Sequence, residues 1–313
     1  MKLTNKKIYF NELEDLPILN NLQEATKLQK QVDRLQSKIS NLESNALSAV
    51  GLWMDDPCPC NSGKKYKQCC INKQNNDVIH HADTPDKCLM LTLTGEPYQP
   101  ARLYYEIFDV SAVMHSLQKL KCIIYNPDMD KLEWVYDNES RRLKFNSTYS
   151  SIPKEKRPIV LGRFSLSKTG IYLDVRSFDR AVAAVEFFDE YIKRTSAKVK
   201  DIAIVNRFFD AKEEMYPNFD VFFNSKRVLV RDPEESIKKL NKLADKLGLA
   251  MAMKSINSNP FPEIERFPVH YYEDGINSLK GSLSIRTILA YEHWNGNTEM
   301  TMFDIIQRGI AKG

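Results

Sequence analysis

No stretch of this chain approaches the roughly 18 consecutive apolar residues that a membrane-crossing helix needs. Its opening, "MKLTNKKIYFNELEDLPIL", lacks an apolar core after the lysines and turns acidic at Glu12, Glu14 and Asp15, so no secretory leader is expected. A cytoplasmic protein with reduced thiols is the expectation. Glycine is sparse, at 11 of 313 residues, and the glycine-built motifs are missing: no G-x-x-x-x-G-K-S/T, G-x-G-x-x-G or G-x-S-x-G occurs. There are five histidines and no H-E-x-x-H. These absences remove the common phosphate-cradling, dinucleotide-binding, serine-hydrolase and zinc-protease signatures. Charge of one sign is also lacking: the net charge is only +4, with pI near 8.5, which is weak support for a nucleic-acid partner.

Cysteine is scarce as well, yet four of the six crowd into thirteen residues within "DPCPCNSGKKYKQCC", from Asp56 to Cys70. In a reducing compartment such a cluster reads as a metal site before it reads as disulfides. Cys58 and Cys60 form one short pair, and Cys69 and Cys70 the other. Two such pairs across a turn can supply the four thiolates of a tetrahedral zinc site. Pro57 and Pro59 stiffen the first pair, Asn61-Ser62-Gly63 can turn the chain, and "KKYKQCC" is helix-forming material that could carry the second pair back. Tyr66 is the only large ring in the loop and could cover one side of the ion. The alternatives are a coincidental group of reduced thiols or a redox dithiol, although C-x-x-C, the usual redox spacing, is absent.

The stretch resembles the SEC-C motif, a short zinc-binding module whose usual form is close to D-P-C-P-C-G-S-G-K-K-Y-K-x-C-C/H. The resemblance implies that Cys58, Cys60, Cys69 and Cys70 are the ligands. Asn61 stands where glycine is usual and Ile71 where glycine is frequent, and neither change removes a ligand. It further implies a binding module, with a protein, the ribosome or nucleic acid as partner. Four sulfur ligands leave no open position, so the zinc would be structural. Four thiolates and Zn²⁺ carry a formal −2, against which Lys64, Lys65, Lys67 and Lys73 set +4. Part of that charge could offset the cluster and the rest face an acidic partner or phosphates. Lys64, Lys65, Tyr66 and Lys67 are the candidate contact residues.

Ahead of the cluster, Leu28, Val32, Leu35, Ile39, Leu42, Ala46 and Ala49 alternate in steps of four and three. This heptad seam suits a parallel two-stranded coiled coil, and hence a homodimer through residues 25–49, or an amphipathic helix docked on its own chain. Lys38 and Glu43 fall where they could pair across such a coil.

The expected organisation is an N-terminal helix or coiled coil over 1–50, the zinc module over 51–72, a polar linker over 73–90 and an α+β body over 91–250. The body could divide near 155–165, and a helical extension would occupy 251–313. Strands are expected at "ARLYYEIF", "KCIIY", "LEWVY", "KVKDIAIVNRFF" and "RVLV", with a hairpin in "IVLGRFSLSKTGIYLDV". Helices are expected after Asp109 or Ser111, after Ser177 or Asp179, and after Asp232-Pro233, with shorter ones at "SLSIRTILAYEHW" and "TEMTMFDIIQRGIA". His80 and His81 fall in the linker, and Cys88 and Cys122 read as buried or unreactive thiols. No catalytic set emerges, and the leading function is a zinc-stapled binding or adaptor module rather than an enzyme. The competing one is a nuclease-like enzyme judged by Asp210, Glu213, Glu214 and Asp220 with Lys226 nearby, the zinc module serving only to target it; Asp174 and Arg176 also stand near the end of an apolar strand.

Overall fold

The computed structural model describes residues 87–312, apart from 168–169, 217, 225, 249–250, 253–254 and 256–260. The heptad seam, the cysteine cluster with its lysines and Tyr66, and the linker histidines lie outside the described residues.

The described part is a mixed α+β body on one sheet of eight strands. β1 (Ala101–Ile107) leads into α1 (Val110–Gln118), then β2 (Ile123–Asn126) and β3 (Lys131–Val135). β4 (Val160–Ser167) and β5 (Gly170–Val175) follow, then α2 (Phe178–Tyr191) and β6 (Ala197–Val205). Next come α3 (Asp220–Phe223), β7 (Leu229–Val230), α4 (Pro233–Leu247), β8 (Ile264–Pro268), α5 (Tyr271–Asp274), α6 (Ile276–Trp294) and α7 (Met302–Lys312). The strand order is β2-β3-β4-β5-β1-β6-β8-β7, antiparallel throughout except for the short β7–β8 pair.

The expected strands and helices from Ala101 to Leu247 all form. Helix starts obey their caps: Asp109 Oδ1 accepts the Ala112 amide at 2.9 Å, and Ser177 Oγ that of Arg180 at 3.2 Å. Between Ser177 and Asp179 it is Ser177 that caps α2. β3 and β4, the latter beginning inside residues 155–165, belong to the same sheet and pair directly.

Register assigns each side chain to a face. Leu103 lies opposite Leu173 of β5 and Ile202 of β6, and these apolar positions face α2 and α6. Ala181, Ala184, Val185 and Phe188 of α2 and Leu279 and Leu283 of α6 complete the main core. Trp134 is fully buried there between Phe187 and Phe188, its indole N–H donating to Ser140 Oγ at 2.6 Å. On the other face, a smaller core gathers Met90, Tyr98, Phe209, Phe219, Phe222 and Phe223 against Ala203 and Val205. β6 records the change from one-sided to two-sided cover. Its first residues alternate buried and exposed, and from Ile202 to Val205 every one is buried.

Two expectations are revised at the C-terminal end. β8 was not anticipated, because "IERFP" reads as too charged for an interior strand; it lies between β6 and β7. α6 is a single 19-residue helix that starts well before "SLSIRTILAYEHW". It packs against α2, α5 and α7, so its buried positions run around the helix and leave no clean apolar stripe.

Candidate functional site

The acids considered for a nuclease reading are spread along the segment that covers the second face, and most are engaged by the protein itself. Glu213 pairs with Arg207 at 3.0 Å and accepts the Asp210 amide at 2.8 Å. Burial raises its pKa, but Arg207 and that amide outweigh it and hold the carboxyl below its ordinary range. Asp210 Oδ1 accepts the Lys212 amide at 2.9 Å. Asp220 pairs with Arg102 at 2.8 Å, while Glu214 and Lys226 are exposed. Among the described residues, no group of His, Cys, Asp and Glu side chains is placed to hold a metal ion.

Asp174 is likewise occupied. Arg102, 1% exposed, grips it with two bonds of 2.6 and 2.9 Å and lies over the Tyr172 ring at 3.9 Å. Burial pulls the guanidinium pKa down, and the bonds to Asp174 and Asp220 more than offset it, leaving Arg102 firmly charged. Arg176, noted with it near the end of the strand, is half-buried two residues further on. A second buried carboxylate, Glu265 of β8, is fully enclosed between Arg286 of α6 at 2.6 Å, Arg231 and the Asn206 amide at 2.8 Å. Sequence reasoning missed these staples. The available signal was a charged residue inside an apolar strand run, as at Arg102 in "ARLYYEI".

The histidines of the body carry no shared chemistry. His115 and His270 are exposed, and the His293 ring meets the Met300 carbonyl at 2.8 Å. Cys122 is buried, which pushes its thiol up to about 11. Cys88 is exposed, just before the first bridge at Leu89, so the buried alternative does not hold for it.

One cavity of about 700 Å³ opens beside the main core, between α2, α6 and residues 142–146. Apolar Phe145, Val182 and Ile288 share its wall with Gln99, Lys144 and Asp179. None of these six residues was singled out for chemistry in the sequence, apart from Asp179 as a possible cap.

Comparison with known proteins places a match on the cysteine cluster. The SEC-C motif model matches residues 56–72. The protein translocase subunit SecA of Brachyspira hyodysenteriae is 51% identical over 35 residues, 11% of this chain and 4% of that protein. SecA of Pelobacter propionicus is 34% identical over 65 residues, 21% of this chain and 7% of that protein. The chain thus spans less than a tenth of the length of either relative. No solved structure matches it.

Proposed function

We propose that this chain is a zinc-dependent binding adaptor. The observation that carries the reading is the SEC-C match at residues 56–72, which holds four thiols in two close pairs. The donor set suits the ion: four soft thiolates complete a structural zinc tetrahedron and leave no position for water or substrate. Cys58, Cys60, Cys69 and Cys70 would hold it. When bound, zinc supplies the free energy that shapes a segment too small to bury a core of its own. Lys64, Lys65 and Lys67 then present a basic surface with Tyr66 beside it, and that surface contacts a protein or the ribosome and its RNA. The setting is the cytoplasm, where thiols stay reduced. A dimer through residues 25–49 would present two such surfaces together and convert two weak contacts into a stronger one.

The test is metal analysis of the purified chain together with affinity capture, comparing wild type with a Cys69→Ser/Cys70→Ser form. One zinc per chain is expected, and partners captured by wild type should be lost from the variant. Absence of zinc, or unchanged capture, overturns the reading. The salt dependence of the captured complex separates the two partner classes. Affinity for RNA falls steeply with salt as counterions are released, and a contact built around Tyr66 loses less.

A further inference from the structure

Register lays four charges in a row across the second face of the sheet. Glu133 of β3 lies opposite Arg163 of β4, Arg163 opposite Asp174 of β5, and Asp174 opposite Arg102 of β1. The signs alternate and neighbours pair, Arg163 with Glu133 at 2.8 Å and Arg102 with Asp174 at 2.6 Å. Asp220 shares Arg102 at 2.8 Å. Two further cations flank the row, Lys131 two positions before Glu133 and Arg176 two positions after Asp174. Neither forms an ion pair with a described residue. The group therefore sets Lys131, Arg163, Arg176 and Arg102 against Glu133, Asp174 and Asp220, one positive charge in excess.

Lys131, Arg163 and Arg176 line one small cavity together with Asp174, and the rest of its wall is apolar. Its volume is about 20 Å³. One water-sized occupant needs about 10–15 Å³, so the cavity admits a single atom of that size and not the four oxygens of a phosphate or sulfate. Arg176 stands in this wall half-buried and without a counterion. Burial, with the like charges of Arg163 and Arg180, holds its guanidinium below the ordinary arginine value, against the pull of Tyr98 and Glu133. Asp174 does not relieve it, because both of its oxygens are engaged by Arg102.

We propose that this cavity binds one monovalent halide ion, chloride under ordinary conditions, among Arg176, Arg163 and Lys131. A single negative charge removes the excess, and a bare halide is only slightly larger than a water molecule. Arg163 gives its Nε to Glu133 and keeps its terminal N–H groups to donate. An unmatched cation in a partly buried, apolar-walled site destabilises the fold, so the halide stabilises the native state by the amount that it binds there. The site lies in the body, apart from the zinc module, and does not rest on the adaptor reading.

The experiment follows thermal unfolding of the full chain, and the chloride NMR line width, as sodium chloride replaces sodium gluconate at constant ionic strength. Sodium bromide and sodium phosphate are run in parallel. At about ten times the dissociation constant, chloride and bromide should each raise the melting temperature of the body by about 3–6 °C. Arg176→Gln should abolish that response and the chloride line broadening, and Lys131→Gln should weaken both severalfold. In gluconate alone Arg176→Gln should be at least as stable as wild type, because it removes a repelled, unmatched charge. A merely structural arginine would give the opposite result. The backbone carbonyl of residue 176, which accepts the Gln99 amide at 3.0 Å, is unchanged by the substitution. Melting that does not distinguish chloride from gluconate overturns the proposal. So does a halide response kept by Arg176→Gln, a loss of stability by that variant in gluconate, or a phosphate response that depends on Arg176. Zinc content is measured on the same samples, so failure of the metal site and failure of this site are distinguished.

Discussion

At the scale of single residues, the body depends on a few charges placed where charges are expensive. Glu265 is fully buried and sits between Arg286 and Arg231. Burial raises its pKa, but the two arginines and Asn206 outweigh it, so the carboxylate is held below the usual glutamate value. A depressed native pKa contributes stability that is present above the unfolded value and lost as pH falls through the native one. Glu265→Gln should therefore lower stability at pH 7 by about 3–5 kcal/mol, because it leaves arginines without their partner. It should also flatten the acid fall in stability between about pH 5 and pH 3; urea titrations at several pH values read both effects. Gly162 is a different case. A Cβ there would lie 2.8 Å from the Asp174 carbonyl and 2.9 Å from the Leu173 and Val175 side chains. Gly162→Ala should cost about 1–3 kcal/mol, seen as a lower urea midpoint with an unchanged slope.

At the scale of elements, local chemistry starts the helices and burial decides how far they run. Asp109→Ala removes the acceptor for the Ala112 amide and should cost about 1 kcal/mol, measured by thermal or urea unfolding. The β4–β5 hairpin and β1 were legible because apolar and aromatic residues dominate "IVLG", "IYLDV" and "ARLYY". β8 was not legible, since its Glu265 and Arg266 are strand residues only where Arg286 and Asp201 already wait for them. α6 hid its first turns for a related reason. Its Gly281 is buried and its neighbours lie on several sides, so no single stripe of apolar residues marks it.

At the scale of the whole molecule, the body and the zinc module should behave as separate thermodynamic units. Among the described residues, the members of the two larger cores run from Met90 to Leu283. A chelator, or the Cys69→Ser/Cys70→Ser form, should leave the main melting transition of the body unmoved while abolishing partner capture. Calorimetry of the same samples checks this, and a shift of more than a few degrees would show that the zinc segment packs into the body's core. No helix among the described residues is long and apolar enough to cross a membrane.

The SEC-C match at residues 56–72 was readable from order along the chain alone, because its four thiols fall within thirteen residues. The helix caps and most strands were readable for the same reason, being set by neighbours a few positions away. What only the tertiary structure decided were the long-range pairings: Arg102 with Asp174, Arg286 with Glu265, and Gln99 with Thr287 across 188 positions. Those contacts arise where separate elements converge. Their separation along the chain leaves no periodic trace in the sequence.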